Sequence, residues 1–391
     1  MKALVWSGVN RVSVEDVPDP TLLDPGDAIL RVLASSVCGS DLHLLGGYVP
    51  AMRSGDIIGH EFLGEVVEVG PDVRRLSPGD RVVVGSIIGC GQCRYCKGDL
   101  WSLCDNANPQ PLPTEAVYGY TPGAIFGYSQ AFGGFAGSHA EYIRVPFADH
   151  GGFTVPEGLT DLEAVFASDA VPTGWQGADV AGIQPGDTVA VWGAGGVGQM
   201  AARAAQLLGA ARVVVVDRIA ERLRQTEQHI GAEVLNCDDV DVVDALREMT
   251  AGRGPRVCIE AVGMEAQSTG VEEIYDRAKQ MLRLQSDRAG ALRQAIVACG
   301  KGGTVSVLGV FGGFVDKVPL GAAMNKGLTF KLGQQHPQRY VPELLQRMAR
   351  GEITTRHLAT HPMPLAEGAE GYRLFKEKDD GCVRAVFLPH G

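Results

Sequence analysis

The central stretch of the chain, residues 188–217, reads TVAVWGAGGVGQMAARAAQLLGAARVVVVD. It begins with an apolar run, passes through a glycine-rich turn into an alanine-rich stretch that Gly209 ends, and closes with a second apolar run at 212–216. Short apolar runs predict buried strands, and the alanine-rich stretch between them predicts a helix. The stretch therefore predicts a βαβ unit, the building block of a parallel sheet.

The glycine-rich turn, Gly193-Ala194-Gly195-Gly196-Val197-Gly198, matches the pattern G-x-G-x-x-G. On its own the pattern is weak, and a turn without a ligand is the alternative. Here it directly follows a predicted strand and opens a predicted helix, where backbone N–H groups and the helix N-terminus can receive a pyrophosphate. The context therefore predicts a dinucleotide site.

Asp217 ends the strand that follows this helix. A carboxylate at this place accepts hydrogen bonds from an adenosine ribose and repels a 2′-phosphate, so the sequence favours NAD over NADP. Arg218, the next residue, is a possible phosphate partner and leaves NADP as the alternative.

Regions on either side of this unit differ in pattern. Apolar runs at 257–260, 304–308 and 328–332 alternate with helical stretches, as in a doubly wound parallel sheet. The first 150 residues instead show short strand patterns broken by Pro-Gly-Asp turns, and the chain closes with a predicted helix at 340–350 and a strand at 383–388. We therefore expect an α/β protein with one mostly-β domain and one doubly wound domain.

Composition excludes several classes of function. The chain has 391 residues and a formal net charge of −11, which disfavours binding to the phosphate backbone of nucleic acids. We find no apolar run of about 18 residues that would span a membrane, and no secretory signal. We therefore expect a cytoplasmic protein without a membrane partner, whose nine cysteines stay reduced.

Four of these cysteines follow the spacing C-x2-C-x2-C-x7-C, at Cys90, Cys93, Cys96 and Cys104. Four thiolates this close in sequence can surround one tetrahedral zinc ion and leave no open coordination position. An iron–sulfur cluster and unligated thiols are the alternatives, but the run lacks the x3-C-P ending of bacterial ferredoxins. The spacing predicts a structural zinc site that organises its loop.

A third group of residues, Cys38 and the segment Gly59-His60-Glu61, has no metal-binding spacing of its own. From the residues alone, a lone cysteine and a lone histidine are more often buried core residues than metal ligands.

Taken together, these motifs resemble the zinc-dependent medium-chain alcohol dehydrogenases over essentially the whole chain. The four-cysteine loop, Gly59-His60-Glu61-Phe62 and the glycine turn stand in that family's order. Ser168 to Gly174, Asp380-Gly381-Cys382 and the extra length between Gly263 and Gly300 resemble the formaldehyde dehydrogenase branch, including its glutathione-independent members. The resemblance implies a GroES-like catalytic domain at 1–170, a Rossmann domain at 171–334 and a return segment at 335–391 that completes the catalytic domain.

The resemblance also implies a catalytic zinc ion held by Cys38, His60 and Asp169. Many relatives have cysteine in place of Asp169, and a carboxylate is a suitable zinc ligand as well. Glu61 matches a residue that can approach the metal transiently, and Asp41 matches the carboxylate that orients the ligating histidine. A solvated glutamate and a turn-capping aspartate are the alternatives for these two residues.

Ser40 and His43 resemble the family's proton relay, in which the serine accepts the alcohol proton and passes it through a ribose hydroxyl to a histidine near the surface. Arg222 and Arg384 match positions that hold the adenosine ribose and the pyrophosphate in relatives. Thr173 matches a position beside the nicotinamide, with helix capping as its alternative role.

The segment 264–295 has apolar residues at helical spacing, at Val271, Ile274, Ala278, Met281 and Leu282. This pattern is typical of a helix that covers its own sheet. In glutathione-independent relatives an insertion here covers the adenine end of the cofactor and retains it, which would permit aldehyde dismutation without free NAD.

We therefore expect an NAD-dependent zinc oxidoreductase with two zinc ions per chain, acting on small primary alcohols or aldehydes, formaldehyde included. The alternatives are an aldehyde dismutase with tightly held NAD, a zinc-free quinone or enone reductase of the same fold, and a non-enzymatic binding protein. Relatives form dimers or tetramers, so we expect a homodimer or homotetramer, with the apolar run at 305–310 offering a strand for pairing across the interface.

Overall fold

The computed structural model describes residues 1–265, 289–312 and 315–391. It divides into two compact units: Met1–Pro172 with Gln335–Gly391, and Thr173–Gln334. The expected boundaries, after residues 170 and 334, compare with 172 and 334 in the structure. Within the described residues, no helix combines the length and apolar character that a membrane crossing requires.

The strands within the described ranges are numbered in chain order. They are β1 (Lys2–Gly8), β2 (Arg11–Asp16), β3 (Ala28–Ser36), β4 (Asp56–Ile57), β5 (Glu61–Val69), β6 (Arg81–Val84), β7 (Ile87–Ile88), β8 (Ala124–Ile125), β9 (Tyr142–Val145), β10 (Gly152–Thr154), β11 (Thr188–Trp192), β12 (Arg212–Asp217), β13 (Glu233–Asn236), β14 (Val257–Glu260), β15 (Thr304–Val307), β16 (Thr329–Leu332), β17 (His361–Pro364) and β18 (Ala385–Leu388).

The α-helices of the same ranges are numbered in the same way. They are α1 (Gly39–Leu45), α2 (Arg94–Lys97), α3 (Leu112–Tyr118), α4 (Ala148–Gly151), α5 (Asp161–Ala164), α6 (Ala170–Val180), α7 (Gly196–Leu207), α8 (Ala220–Ile230), α9 (Val242–Met249), α10 (Gly290–Ala298), α11 (Leu320–Lys326), α12 (Pro337–Ala349) and α13 (Gly368–Glu377). A 3-10 helix at Val165–Ser168 lies between α5 and α6.

The unit Thr173–Gln334 is built on a parallel sheet with the strand order β13-β12-β11-β14-β15-β16. Its central strands are rich in valine and buried on both faces, as expected for a parallel sheet covered by helices. The strand order reverses direction between β11 and β14, and ligands of doubly wound sheets bind at such a switch point. The predicted doubly wound fold is confirmed.

The other unit is mostly β. One sheet has the order β10-β6-β5-β3-β18-β17, with β9 also pairing with β3, and a smaller sheet has the order β2-β1-β4. Strand β18 comes from the return segment and pairs with β3, so the end of the chain completes a sheet that its beginning starts. The residues after β3 and at the start of β5 are thereby brought to neighbouring positions, because these two strands pair antiparallel over almost their whole length.

The run at 305–310 was expected to offer a strand for pairing across an interface, but β15 pairs with β14 on one side and β16 on the other, so that expectation is wrong. Most of the amphipathic segment 264–295, including Val271, Ile274, Ala278, Met281 and Leu282, lies outside the described residues.

Candidate functional site

The four-cysteine loop brings its sulfur atoms together, all within 4.8 Å of one another. Cys93 caps helix α2, and its Sγ lies 4.0 Å from the Sγ of Cys104. A tetrahedral zinc ion with Zn–S bonds of about 2.3 Å places its sulfur ligands about 3.8 Å apart, so the spacing fits zinc. The four cysteines are free thiols in the structure rather than disulfides.

Backbone N–H groups point at these sulfur atoms. The amides of Gln92 and Cys93 both donate to Cys90 Sγ at 3.4 Å, and the amide of Cys90 donates to Cys104 Sγ at 3.3 Å. Burial opposes ionisation of Cys93, but backbone donors outweigh it and lower the pKa of this thiol to about 7. Donors arranged around sulfur stabilise thiolates, the form that binds metal.

A second cluster joins three distant stretches of chain. Cys38 lies between β3 and α1, His60 and Glu61 lie at the start of β5, and Asp169 follows the 3-10 helix Val165–Ser168. Each of these four side chains offers one ligand atom within 4.8 Å of the others. A sulfur, an imidazole nitrogen and carboxylate oxygens at this separation form a donor set that fits zinc.

The orientation of His60 is set by Asp41 on helix α1. His60 Nδ1 lies 3.1 Å from Asp41 Oδ1, and Asp41 Oδ2 accepts the backbone N–H of Cys38 at 2.8 Å. Nε2 is therefore the nitrogen that faces the cluster, 3.9 Å from Asp169 Oδ2. This carboxylate–histidine pairing is the arrangement that orients a metal-binding histidine and increases its basicity.

Asp41 and His60 also shift each other's pKa. Burial disfavours protonated His60, but the charge and hydrogen bond of Asp41 outweigh it and hold the pKa of His60 well above its usual value. Burial likewise opposes ionisation of Asp41, yet His60 holds the pKa of this carboxyl below its usual range. On the other side of Asp41, burial lowers the pKa of His139 to about 4 and keeps that histidine neutral.

Glu61 is fully buried and faces Arg384, whose Nη2 lies 3.3 Å from Glu61 Oε1. Burial raises the pKa of Glu61 to about 7 although the guanidinium favours its charged form. Arg384 also donates to the carbonyl oxygen of Val37 at 2.8 Å and is only 3% exposed. The structure thus places Arg384 against Glu61 in this second cluster, and its expected contact with a pyrophosphate stays a prediction.

The predicted relay residues lie on helix α1. Ser40 Oγ is 3.3 Å from His60 Nε2, so this hydroxyl reaches the face of the imidazole that points into the cluster. His43, expected near the surface, is only 2% exposed, and that expectation is wrong. Helix α1 packs its second half into the core around Leu44 and Leu45, which buries the histidine with them.

Sequence reasoning missed Gln335, a buried residue at the start of the return segment. Its Nε2 donates to Asp169 Oδ2 at 2.6 Å and to Ser86 Oγ at 2.8 Å. The surrounding sequence, Gly333-Gln334-Gln335, reads as a polar loop and carries no metal-binding spacing. No sequence signal was available that could have linked it to Asp169.

The glycine turn of the other unit has two positions where only glycine fits. A Cβ on Gly198 would lie 1.7 Å from the carbonyl oxygen of Gly193, so any side chain there would push helix α7 away from the turn. Gly193 itself has φ +102, in the left-handed region that favours glycine. Gly195, in contrast, faces open space, with a built Cβ meeting only Arg222 Nη1 at 3.7 Å.

This open space lies at the N-terminus of α7, because the cap residue, Gly195, has no side chain to fill it. The orphan N–H groups and the helix dipole of such a terminus favour an anion, and Arg222 adds a positive charge beside it. Gly196 and Val197 form the first turn of α7. The geometry therefore fits the predicted pyrophosphate site.

Asp217 lies at the end of β12 against this turn. Its Oδ2 accepts the N–H of Ala194 at 2.6 Å, and its Oδ1 accepts the N–H of Arg218 at 2.7 Å. The Arg218 side chain pairs with Asp238, at 3.3 Å between Nη2 and Oδ2. Thr173 is the fourth residue of α6 rather than its cap, so the alternative capping role for Thr173 is wrong.

Comparison with known proteins gives the same combination of domains. The model of the alcohol dehydrogenase GroES-like domain matches residues 24–155, and that of the zinc-binding dehydrogenase domain matches residues 196–281. An uncharacterized zinc-type alcohol dehydrogenase-like protein of Bacillus subtilis is 38% identical and aligned over 100% of both chains.

Two further proteins show how far the similarity reaches. A glutathione-independent formaldehyde dehydrogenase of Bacillus subtilis is 32% identical, over 100% of this chain and 97% of its own length. The solved structure of an alcohol dehydrogenase from Thermus sp. ATN1 is 34% identical, with a TM-score of 0.83 over 99% of each chain.

Proposed function

Because this chain belongs to the zinc-type alcohol dehydrogenase family, we propose that it transfers a hydride between small primary alcohols or aldehyde hydrates, formaldehyde hydrate included, and NAD. The observation that carries this proposal is the convergence of Cys38, His60, Glu61 and Asp169, with all ligand atoms within 4.8 Å, in a chain that also forms the glycine turn. The similarity to a formaldehyde dehydrogenase supports the choice of small substrates.

Cys38, His60 and Asp169 would hold the catalytic zinc ion, and a zinc ion bound there supplies a Lewis acid that polarises the substrate oxygen. Arg384 keeps its positive charge beside Cys38 and Glu61, where it lessens repulsion among the acidic groups. Asp41 holds His60 in the orientation that presents Nε2. Cys90, Cys93, Cys96 and Cys104 would hold a second, structural zinc ion.

Ser40 is the residue that we assign to proton transfer. Its hydroxyl lies 3.3 Å from His60 Nε2, so an oxygen bound at the cluster would lie within hydrogen-bond reach of Ser40 Oγ, which can accept the alcohol proton. We assign onward transfer to His43, three residues along the same helix. Since His43 is buried, the proton needs a further carrier between this imidazole and water.

In the other unit, the open side of Gly195, the N-terminus of α7 and Arg222 would bind the cofactor's pyrophosphate. Asp217 would accept the hydroxyls of the adenosine ribose, and Thr173 would lie beside the nicotinamide. A cofactor bound there supplies the hydride-carrying ring.

A zinc assay combined with a substrate panel tests this proposal. We expect about two zinc ions per chain and reduction of NAD with formaldehyde or short primary alcohols. The absorbance of the reduced cofactor measures the rate. Longer alcohols and the glutathione adduct of formaldehyde serve as comparison substrates. Nicotinamide nucleotide released from denatured protein, with aldehyde dismutation but no reduction of added NAD, would instead identify a dismutase. Absence of zinc together with enone reduction would contradict the proposal.

Replacement of Asp217 is expected to change the cofactor preference. In Asp217→Ser, the ribose hydroxyls lose their acceptor and a 2′-phosphate no longer meets a negative charge. One pair of like charges near a protein surface is worth about 1–3 kcal/mol, so we expect the NAD:NADP ratio of kcat/KM to fall about 10- to 100-fold. The matched control is Asp187→Ser, just before β11 and at the opposite end of that strand from the glycine turn, where the carboxylate accepts the N–H of Gln184 at 2.8 Å. An unchanged ratio in Asp217→Ser would refute the role of this carboxylate.

A further inference from the structure

The side-chain amide of Gln335 lies between Asp169 and Ser86. The side chain is 4% exposed, and its Nε2 hydrogen-bonds Asp169 Oδ2 and Ser86 Oγ at 2.6 and 2.8 Å. Asp169 is the proposed metal ligand at the position where the family resemblance places cysteine in many relatives. The bond to this carboxylate is thus made by the first residue of the return segment, 166 positions along the chain.

Chemistry determines which end of the amide faces the carboxylate. An ionised carboxylate only accepts hydrogen bonds, so Nε2 rather than Oε1 must point at Asp169. Ser86 is itself fixed, because its N–H donates to the carbonyl oxygen of Ser168 at 3.2 Å and its carbonyl oxygen accepts the N–H of Phe126 at 3.3 Å. Ser86 therefore gives the amide a fixed second partner while its Nε2 donates to Asp169.

We propose that Gln335 is a positioning residue for the catalytic metal: its amide holds Asp169 in one rotamer and directs the carboxylate toward Cys38 and His60. This inference rests on the proposed function, since it requires an ion at that cluster. Gln335 occupies one lone-pair direction of Oδ2, and a carboxylate has about four such directions over its two oxygens.

A carboxylate ligand depends more on a hydrogen-bond donor to fix its orientation than a thiolate ligand does. A thiolate binds through its single sulfur atom, whereas an aspartate can bind through either oxygen or both and can rotate about its side chain. Glu61, a further carboxyl group in the cluster, repels a charged Asp169 and is repelled by it. A neutral amide donor restrains Asp169 without adding another charge to the site.

Replacement of Gln335 by leucine, Gln335→Leu, keeps a similar volume and removes the donor. Loss of a residue that hydrogen-bonds a metal ligand usually weakens metal binding about 10- to 100-fold, and we expect a loss of this size for one of the two zinc ions. The measurement is zinc retained per chain during titration with a chelator. The variant should fall from two ions to one at a lower chelator concentration than the unmodified protein, and the second ion should be retained equally well by both.

Gln338→Leu is the matched control, because Gln338 is a buried amide of the same segment that donates to the carbonyl oxygen of Ile87 at 2.7 Å. Gln338→Leu should keep both zinc ions up to the same chelator concentration as the unmodified protein. Ser86→Ala, which removes only the second partner of the amide, should give a smaller loss, about 2- to 5-fold by comparison with the direct contact.

Spectroscopy of protein with cobalt in the catalytic site gives a readout independent of activity. We expect Gln335→Leu to shift the visible cobalt absorption, because the carboxylate changes its geometry at the ion, while Gln338→Leu leaves the spectrum unchanged. The inference is overturned if Gln335→Leu keeps both the chelator profile and the cobalt spectrum, or if it loses both zinc ions together. If the unmodified protein itself binds only one ion, at the four cysteines, then the proposed function fails instead.

Discussion

Cys38→Ser is expected to lower the zinc content from two ions to one per chain and to slow alcohol oxidation at least about 10³-fold. The replacement removes the one thiolate of the cluster and leaves a hydroxyl, which is a poor zinc ligand. A Lewis acid contributes several kcal/mol to stabilising charge in the transition state, and each 1.36 kcal/mol corresponds to a tenfold change in rate. Metal analysis and kcat/KM with a short alcohol measure both effects.

Two further cysteine variants make this result specific. Cys104→Ser should also lose one zinc ion, but its main effect should be a lower unfolding temperature, because Cys104 is fully buried in the four-cysteine loop. Cys237→Ser, at a half-buried cysteine outside both clusters, should keep two ions and full activity. Retention of activity by Cys38→Ser, with one ion lost, would show that the reaction does not depend on this cluster.

Gly198→Ala is expected to weaken NAD binding about 100-fold or more. The new methyl group would lie 1.7 Å from the carbonyl oxygen of Gly193, a backbone atom that cannot move without distorting the turn. Overpacking costs about 1–3 kcal/mol even where side chains can adjust. A clash with the backbone can be relieved only if helix α7 moves away from the proposed pyrophosphate site. Titration of NAD, followed by calorimetry or cofactor fluorescence, measures the change in Kd.

Gly321→Ala serves as the control. Gly321 lies in helix α11 of the same unit, and a Cβ built there meets no atom within 4 Å. Alanine is the better helix former by about 1 kcal/mol, so this variant should keep its affinity for NAD and unfold at an equal or higher temperature. If Gly198→Ala binds NAD as tightly as Gly321→Ala, then the close approach of α7 to the turn is not needed for cofactor binding.

Local patterns predicted those parts of the molecule whose residues are neighbours in sequence. The four cysteines lie within 15 positions, and the glycine turn with its flanking strands within 30, so spacing alone indicated a metal and a dinucleotide. Apolar runs likewise predicted β11, β12 and β14, because strands buried on both faces need continuous apolar sequence.

The cluster proposed to hold the catalytic metal is different because its members come from residues 38, 60–61 and 169. No spacing rule connects such distances, and family resemblance alone suggested that Cys38, His60 and Asp169 belong together. Pairing of β3 with β5 brings the first two stretches together, and hydrogen bonding between Ser86 and Ser168 helps to bring the third.

Sequence patterns could not predict which of these polar side chains are buried, or which residues they contact. His43 is buried because helix α1 packs into the core, β15 is an interior strand because β16 covers its other edge, and Gln335 meets Asp169 because the return segment re-enters the first unit. Each of these outcomes depends on contacts between residues far apart in the chain. Composition and short-range periodicity predicted the mostly-β unit, the doubly wound sheet, the four-cysteine cluster and the glycine turn. Long-range packing determines which polar side chains meet around Cys38 and His60.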